Sequence, residues 1–146
     1  MLFSSLKIGI IRDILFIKQI LNFFTYIIDY SVIISMNNVS KRYLKEMNSR
    51  KYYYIVAEEK DKIVGFGQAE IKSKDFGVLE LIYVDKKFTK KGIGLKLLKE
   101  LEKWLKLKKV KFIESGFYYN NFPSAALHKK AGYRPIRIKM RKKVRS

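Results

Sequence analysis

A chain of 146 residues has room for one packed domain and not for two, and its 48% apolar and 14% aromatic content excludes a disordered polyelectrolyte despite 31% charged residues. No cysteine and a single histidine exclude disulfides, thiolate nucleophiles and Cys- or His-rich metal sites, and make the cytoplasm the expected compartment. With 32 basic and 13 acidic residues the net charge is +19, a field that attracts nucleic acid, acidic proteins or phosphorylated cofactors, although lysines spread for solubility give the same number.

In chain order, residues 7 to 12 read as a first strand, and Asp13 offers a cap to an apolar helix through Ile14, Leu15, Ile17, Ile20 and Leu21. Residues 8 to 36 are the most apolar stretch. Arg12, Asp13, Lys18, Asn22 and Asp29 interrupt every window of spanning length, so an amphipathic helix is expected, with no membrane partner and no cleaved signal. Residues 25 to 36 are β-branched and stay unassigned, while Asn38 or Ser40 caps a short second helix through Tyr43, Leu44 and Met47.

From residue 52 the pattern turns to strands: 53 to 57, a polar turn at 58 to 61, and 63 to 69 as the antiparallel return. After a turn at 73 to 77, residues 78 to 84 carry apolar side chains on both faces, with Glu80 as the one interior charge, which predicts a central strand. Leu97, Leu98, Leu101, Trp104 and Leu105 then recur at three- and four-residue spacing against a lysine face, the clearest helix of the chain. Residues 109 to 117 read as the next strand. Asn121 caps a helix to Ala131 with Pro123 in its first turn, Gly132 stops it, and residues 133 to 144 alternate as a last strand.

The informative unit runs from Val84 through Gly92, Ile93 and Gly94 into the helix of Leu97. Glycines there let a ligand reach the backbone, and the first amides of a helix have no intrahelical acceptor. Those donors, the positive helix end, and Lys90 and Lys91 beside it suit a phosphate. The glycine spacing excludes a P-loop, and leucine at position 97 excludes the dinucleotide fingerprint. By itself Gly-x-Gly equally suits close packing at a helix start.

Residues 81 to 94, followed by residues 121 to 133, resemble the GNAT superfamily of N-acetyltransferases, with the likeness covering roughly residues 52 to 140. The cofactor motif of that superfamily, Gln/Arg-x-x-Gly-x-Gly/Ala, reads Thr89, Lys90, Lys91, Gly92, Ile93, Gly94 here, with threonine at the Gln/Arg position. A second motif, Asn, a small residue, then Leu-Tyr-x-x-x-Gly-Phe, reads Asn121, Ser124, Leu127, His128, Gly132, Tyr133. The resemblance implies one GNAT-like domain over residues 1–146, an α/β fold with a mixed, twisted, splayed sheet flanked by helices, and acetyl-CoA as acetyl donor. It also implies that the pantetheine arm pairs with the backbone of Ile82, Tyr83 and Val84 in the splay, completing a ladder whose polar groups would be costly to bury alone.

Acetyl transfer needs a neutral amine, a donor to the developing oxyanion, a route for the amine's proton, and a proton for the departing sulfur. Alternation places Glu80 on the face of Val78, Ile82 and Val84, where apolar neighbours suit a general base; a solvent-facing or ion-paired Glu80 is the other reading. By family analogy the oxyanion donor is a backbone N–H near Ile82. His128 stands where the superfamily often has the tyrosine that protonates the thiolate, unless the thiolate leaves unaided. Tyr83, Tyr118 and Tyr119 are further acids, or plain sheet aromatics. Asn121 is first a cap and second a hydrogen bonder to the cofactor.

The net charge is expected to discourage a polyamine and to favour an amine acceptor, small molecule or protein, that is itself acidic or attached to an acidic partner, such as a protein N-terminus or lysine near nucleic acid; a homodimer is left open. The rival class is a basic nucleic-acid-binding module without catalysis, contacting through residues 86 to 109 and 139 to 145. A domain that binds acyl-CoA only as a regulatory ligand is a third.

Overall fold

The structure is a computed structural model that describes residues 6–10, 46 and 49–144. The chain divides into two compact units, Met1–Gly116 and Phe117–Ser146. The helix expected after Asp13, the segment 25 to 36 and the caps at Asn38 and Ser40 lie outside the described residues.

The first unit holds strands β1 (Lys7–Ile10), β2 (Tyr52–Glu59), β3 (Lys62–Ile71), β4 (Phe76–Val84) and β5 (Phe112–Ser115), and helix α1 (Ile93–Leu107). The strands lie in the order β1-β2-β3-β4-β5. All neighbours are antiparallel except β4 and β5, which are parallel. The β2–β3 hairpin turns through Lys60 and Asp61 at φ of 49° and 59°. Two positive-φ residues are what a two-residue turn needs to match the strand twist.

Helix α1 packs on β2, β3 and β4 through the apolar stripe read from the sequence. Ile93, Leu97, Leu98, Leu101 and Leu105 are each at most 1% exposed, and burying such a side chain stabilises by about 1.5–3 kcal/mol. The sheet face beneath is cut back with glycine so that this ridge can approach. A Cβ on Gly65 would stand 2.8 Å from Tyr83 O and 3.2 Å from Leu97 Cδ1, one on Gly67 2.9 Å from Leu101 Cδ1, and one on Gly77 2.5 Å from Leu105 Cδ2. Trp104, at the margin of the ridge, stacks on Tyr53 with 4.9 Å between centroids.

The second unit holds helix α2 (Phe122–Lys130). Asn121 caps it, its side-chain oxygen accepting from Ser124 N at 3.1 Å. The C-terminus closes as expected at Gly132, where φ is 91°. Tyr133 N donates to His128 O and Gly132 N to Lys129 O, the paired reverse bonds that satisfy the last helical carbonyls.

Two expectations need correction. The strand after α1 is Phe112–Ser115, shorter than 109 to 117, because Lys109 takes a left-handed turn at φ 62° that ends the helix before the chain can extend. Residues 133 to 144 form no strand, and Ile136, Ile138 and Met140 are 79%, 83% and 87% exposed. Alternation says which side chains share a face, but a strand also needs a neighbouring backbone to complete its hydrogen bonds.

Candidate active site

The site begins with an irregularity in β4. Its pairing with β3 runs Gln68↔Leu81 and then Ala69↔Leu79, so Glu80 is an extra residue with no partner position on β3. Such a bulge bends the strand and disturbs the ladder on its other edge. That ladder stops at the same place: β4 pairs with β5 from Phe76↔Phe112 to Leu79↔Ser115 and no further, while β3 follows β4 to Gly65↔Val84. The Ser115 hydroxyl donates to Leu79 O at 3.3 Å, where the parallel pair ends.

Among the described residues the sheet is therefore open on the β5 side beyond Leu79. Asp85 N donates to Val64 O at 2.8 Å, and antiparallel strands bond at every second residue. Tyr83 consequently directs its N–H and C=O at β3, and Ile82 and Val84 direct theirs at the opening. Among the described residues no strand pairs with Ile82 and Val84 on that side.

The chain leaves β4 through a short 3-10 turn, Lys86–Phe88, capped by the Asp85 carboxylate, which accepts from Lys87 N at 2.8 Å. The Thr89 hydroxyl donates to Lys86 O at 2.9 Å and closes the turn. Lys90 (φ 60°) and Gly92 (φ 79°) then wind the backbone left-handed into α1. Gly92 offers no side-chain cap, and no acidic residue occupies the first turn of the helix. The first amide of this region to find a backbone acceptor is Lys96 N, on Gly92 O at 3.1 Å. Among the described residues, the N–H groups of Lys91, Gly92, Ile93, Gly94 and Leu95 are taken by no protein acceptor. Nothing lies within 4 Å of where a Cβ on Gly92 would stand. The arrangement is a cluster of donors at a positive helix end, with the Lys91 ammonium held 5.0 Å over the Phe88 ring beside it.

Glu80 does not have the surroundings that plain alternation assigns it. The bulge turns it outward, and its carboxylate pairs with Lys72 Nζ at 2.9 Å, which also pairs with Glu70 at 2.5 Å. The Tyr83 ring stacks on Phe66 at 5.3 Å. Burial, then Asp85, lifts the Tyr83 hydroxyl above its ordinary value, so it holds its proton more firmly than a free tyrosine. Tyr118 and Tyr119 are 83% and 92% exposed.

In the second unit His128 is buried between the rings of Phe117 and Tyr133, at 5.2 and 5.4 Å. Its Nδ1 lies 2.7 Å from Ser124 O. A carbonyl oxygen only accepts, so Nδ1 carries the proton of that bond. Asn121 is spent as the cap of α2.

The sequence model of the Acetyltransferase (GNAT) family matches residues 22–133. The chain belongs to the GNAT acetyltransferase family. As a GNAT protein it is an N-acetyltransferase that takes acetyl-CoA as donor. No curated protein matches the sequence significantly. Solved structures share the GNAT fold at low identity. AAC(6')-Iy in complex with the bisubstrate analogue CoA-S-monomethyl-acetylneamine superposes with a TM-score of 0.79 at 14% identity, over 98% of this chain and 100% of that one. The aminoglycoside acetyltransferase meta-AAC0020 from an uncultured soil metagenomic sample, solved with sisomicin, gives 0.74 at 17% identity over 99% and 100%. Glucosamine-6-phosphate N-acetyltransferase from Arabidopsis thaliana gives 0.73 at 20% identity over 96% and 99%.

Two departures of this GNAT chain have a visible consequence. Thr89, at the motif position of Gln/Arg, spends its hydroxyl within its own turn. His128, at the position of tyrosine, spends one ring nitrogen on its own helix. The sequence offered no sign of the bulge beyond a charge inside an apolar strand, and none of the pairing of Lys72 with Glu70 and Glu80, because Lys72 falls between the strand read to 69 and the turn read from 73.

Proposed function

We propose that the protein transfers the acetyl group of acetyl-CoA to a primary amine, with the donor's diphosphate on the amides of residues 91 to 95 and its pantetheine along Ile82 and Val84. The observation that carries this is the coincidence, at one end of β4, of a half-open ladder and a run of helix-start amides with no protein acceptor. Thr89 and Lys90 shape the turn, Gly92 and Gly94 keep side chains off the backbone, and Lys90 and Lys91 add charge. The thioester supplies an activated acyl group. On this reading the Ile82 N–H, which faces the opening, donates to its carbonyl oxygen as negative charge develops there. The Tyr83 backbone is committed to β3, so Tyr83 contributes through its ring against Phe66 rather than through the ladder.

Glu80 acts on the acceptor side, as an exposed anion at the bulge, and takes the amine's proton only where Lys72 gives way. His128, at the tyrosine position of the second motif, hands a proton to the departing sulfur, and Asn121 orders the start of its helix. Replacing His128 by Phe should lower kcat at least about ten-fold with KM for acetyl-CoA unchanged, and His128→Tyr should restore it. Equal loss in both variants removes the proton-donor role.

Calorimetric titration with acetyl-CoA tests the donor site. Lys90→Glu/Lys91→Glu should weaken binding roughly ten-fold while leaving the melting temperature unchanged. Absence of binding by the unmodified protein at high micromolar acetyl-CoA would defeat the assignment.

A second reading, binding of nucleic acid, is favoured by one observation: Lys96, Lys99, Lys103 and Lys106 are exposed at helical spacing along the outer face of α1. It is compatible with catalysis and separable from it by salt dependence.

A further inference from the structure

Residues 134 to 144 have the pattern of a strand and no strand to pair with. Once the chain extends, Ile136, Ile138 and Met140 fall on one side of it and Arg137, Lys139 and Arg141 on the other. The three apolar side chains are each at least 79% exposed, and among the described residues no backbone hydrogen bond is made from 134 to 144. Pro135 suits the first residue of such a segment, where no ladder donor is needed. A free edge exists in the same chain. β5 ends the strand order, and among the described residues no strand lies on its outer side. Phe112 of β5 stacks on Phe76 at 5.3 Å with both rings exposed, an apolar patch on a sheet edge of the kind that templates a further strand. Glu114, the one charged residue of β5, is exposed on the same face as Phe112. It meets a cation in Arg134 or Lys142, which flank the three apolar residues on their own side of the segment.

We propose that two copies of this chain exchange these segments, residues 136 to 141 of each copy adding as one further strand to the outer edge of β5 in the other. Both halves of the contact belong to one sequence, and a single copy leaves both without a partner, so a two-fold exchange satisfies each of them twice. The apolar side of the segment lies against Phe112 and Phe76, and the added backbone takes up the free edge. Arg137, Lys139 and Arg141 on the added strand discourage yet another, so the assembly closes at two copies instead of growing along the edge. This association is independent of acetyl transfer.

Sedimentation velocity of the full chain, nuclease-treated and in about 0.3 M salt to screen the repulsion between chains of +19, should show a dimer with a dissociation constant below about 10 µM. Ile138→Lys should weaken it at least about 100-fold with unchanged circular dichroism, since the side chain replaced is exposed in the single copy. Phe112→Lys should do the same from the receiving side. An equimolar mixture of the two variants should recover a dimer weaker than that of the wild type, because one intact segment then meets one intact edge. Amide exchange at residues 136 to 140 should be at least about 100-fold slower in the wild type than in Ile138→Lys. The proposal is overturned by a wild type that stays monomeric at about 100 µM, by Phe112→Lys that dimerises like the wild type, by a mixture no more dimeric than its components, or by protection of 136 to 140 that survives in Ile138→Lys. None of these measurements involves acetyl-CoA, so failure of the acetyltransferase assignment is a separate result.

Discussion

Lys109 stands where α1 ends in a left-handed residue, at φ 62°, a position that costs an L-amino acid roughly 1–2 kcal/mol and glycine much less. Lys109→Gly should raise stability by about 0.5–1 kcal/mol, seen as a melting temperature higher by roughly 2–4 °C. Gly132 illustrates the converse. It already supplies φ 91° at the end of α2, and the bond from Tyr133 N to His128 O that follows brings the Tyr133 ring against His128. The Gly-Tyr pair of the second motif thus positions the candidate acid. Lys72 gives a pH signature. Its folded value is raised, so the stability it contributes is complete below the unfolded lysine value of about 10.4 and is lost as pH climbs through the folded one. The difference in unfolding free energy between wild type and Lys72→Ala should stay constant from pH 8 to 10 and shrink only above.

At the scale of elements, β4 is bound by β3 along its length and by β5 over less than half of it, and the bulge at Glu80 is where the two regimes meet. Gly65 guards the open half. Gly65→Ala would press a methyl to 2.8 Å from Tyr83 O, a backbone atom that cannot move alone. It should cost about 1–3 kcal/mol in urea unfolding and weaken acetyl-CoA as well, because β4 shifts at Ile82 and Val84. Gly67→Ala is the control. Its clash is with Leu101 Cδ1, the end of a flexible side chain, so stability should fall by less and acetyl-CoA affinity should hold.

At the scale of the molecule, the charge of +19 and the local chemistry point in different directions. A long-range field sums every exposed lysine, whereas a binding face is decided by the few groups within contact distance. Nucleic acid held through six or more phosphates should lose roughly 1,000-fold in affinity between 50 and 200 mM salt. On the proposed assignment acetyl-CoA is held by backbone amides, and it should lose less than about ten-fold over the same range. No helix among the described residues is long and apolar enough to cross a membrane.

Much of this protein is legible in one dimension because its signals are local. The stripe of α1, the Asn121 cap, the Gly132 stop and the glycine turn after β4 each depend on residues within a few positions of one another, and all stand where the pattern put them. The family follows from the same local motifs. Strand 133 to 144 was misread for the opposite reason: a strand exists only if a distant backbone pairs with it. The bulge at Glu80, the ladder that ends at Leu79, and the meeting of Lys72 with Glu70 and Glu80 are likewise long-range events. Register between strands is a property of two segments at once, and which carboxylate faces which ammonium is settled only after the sheet has closed.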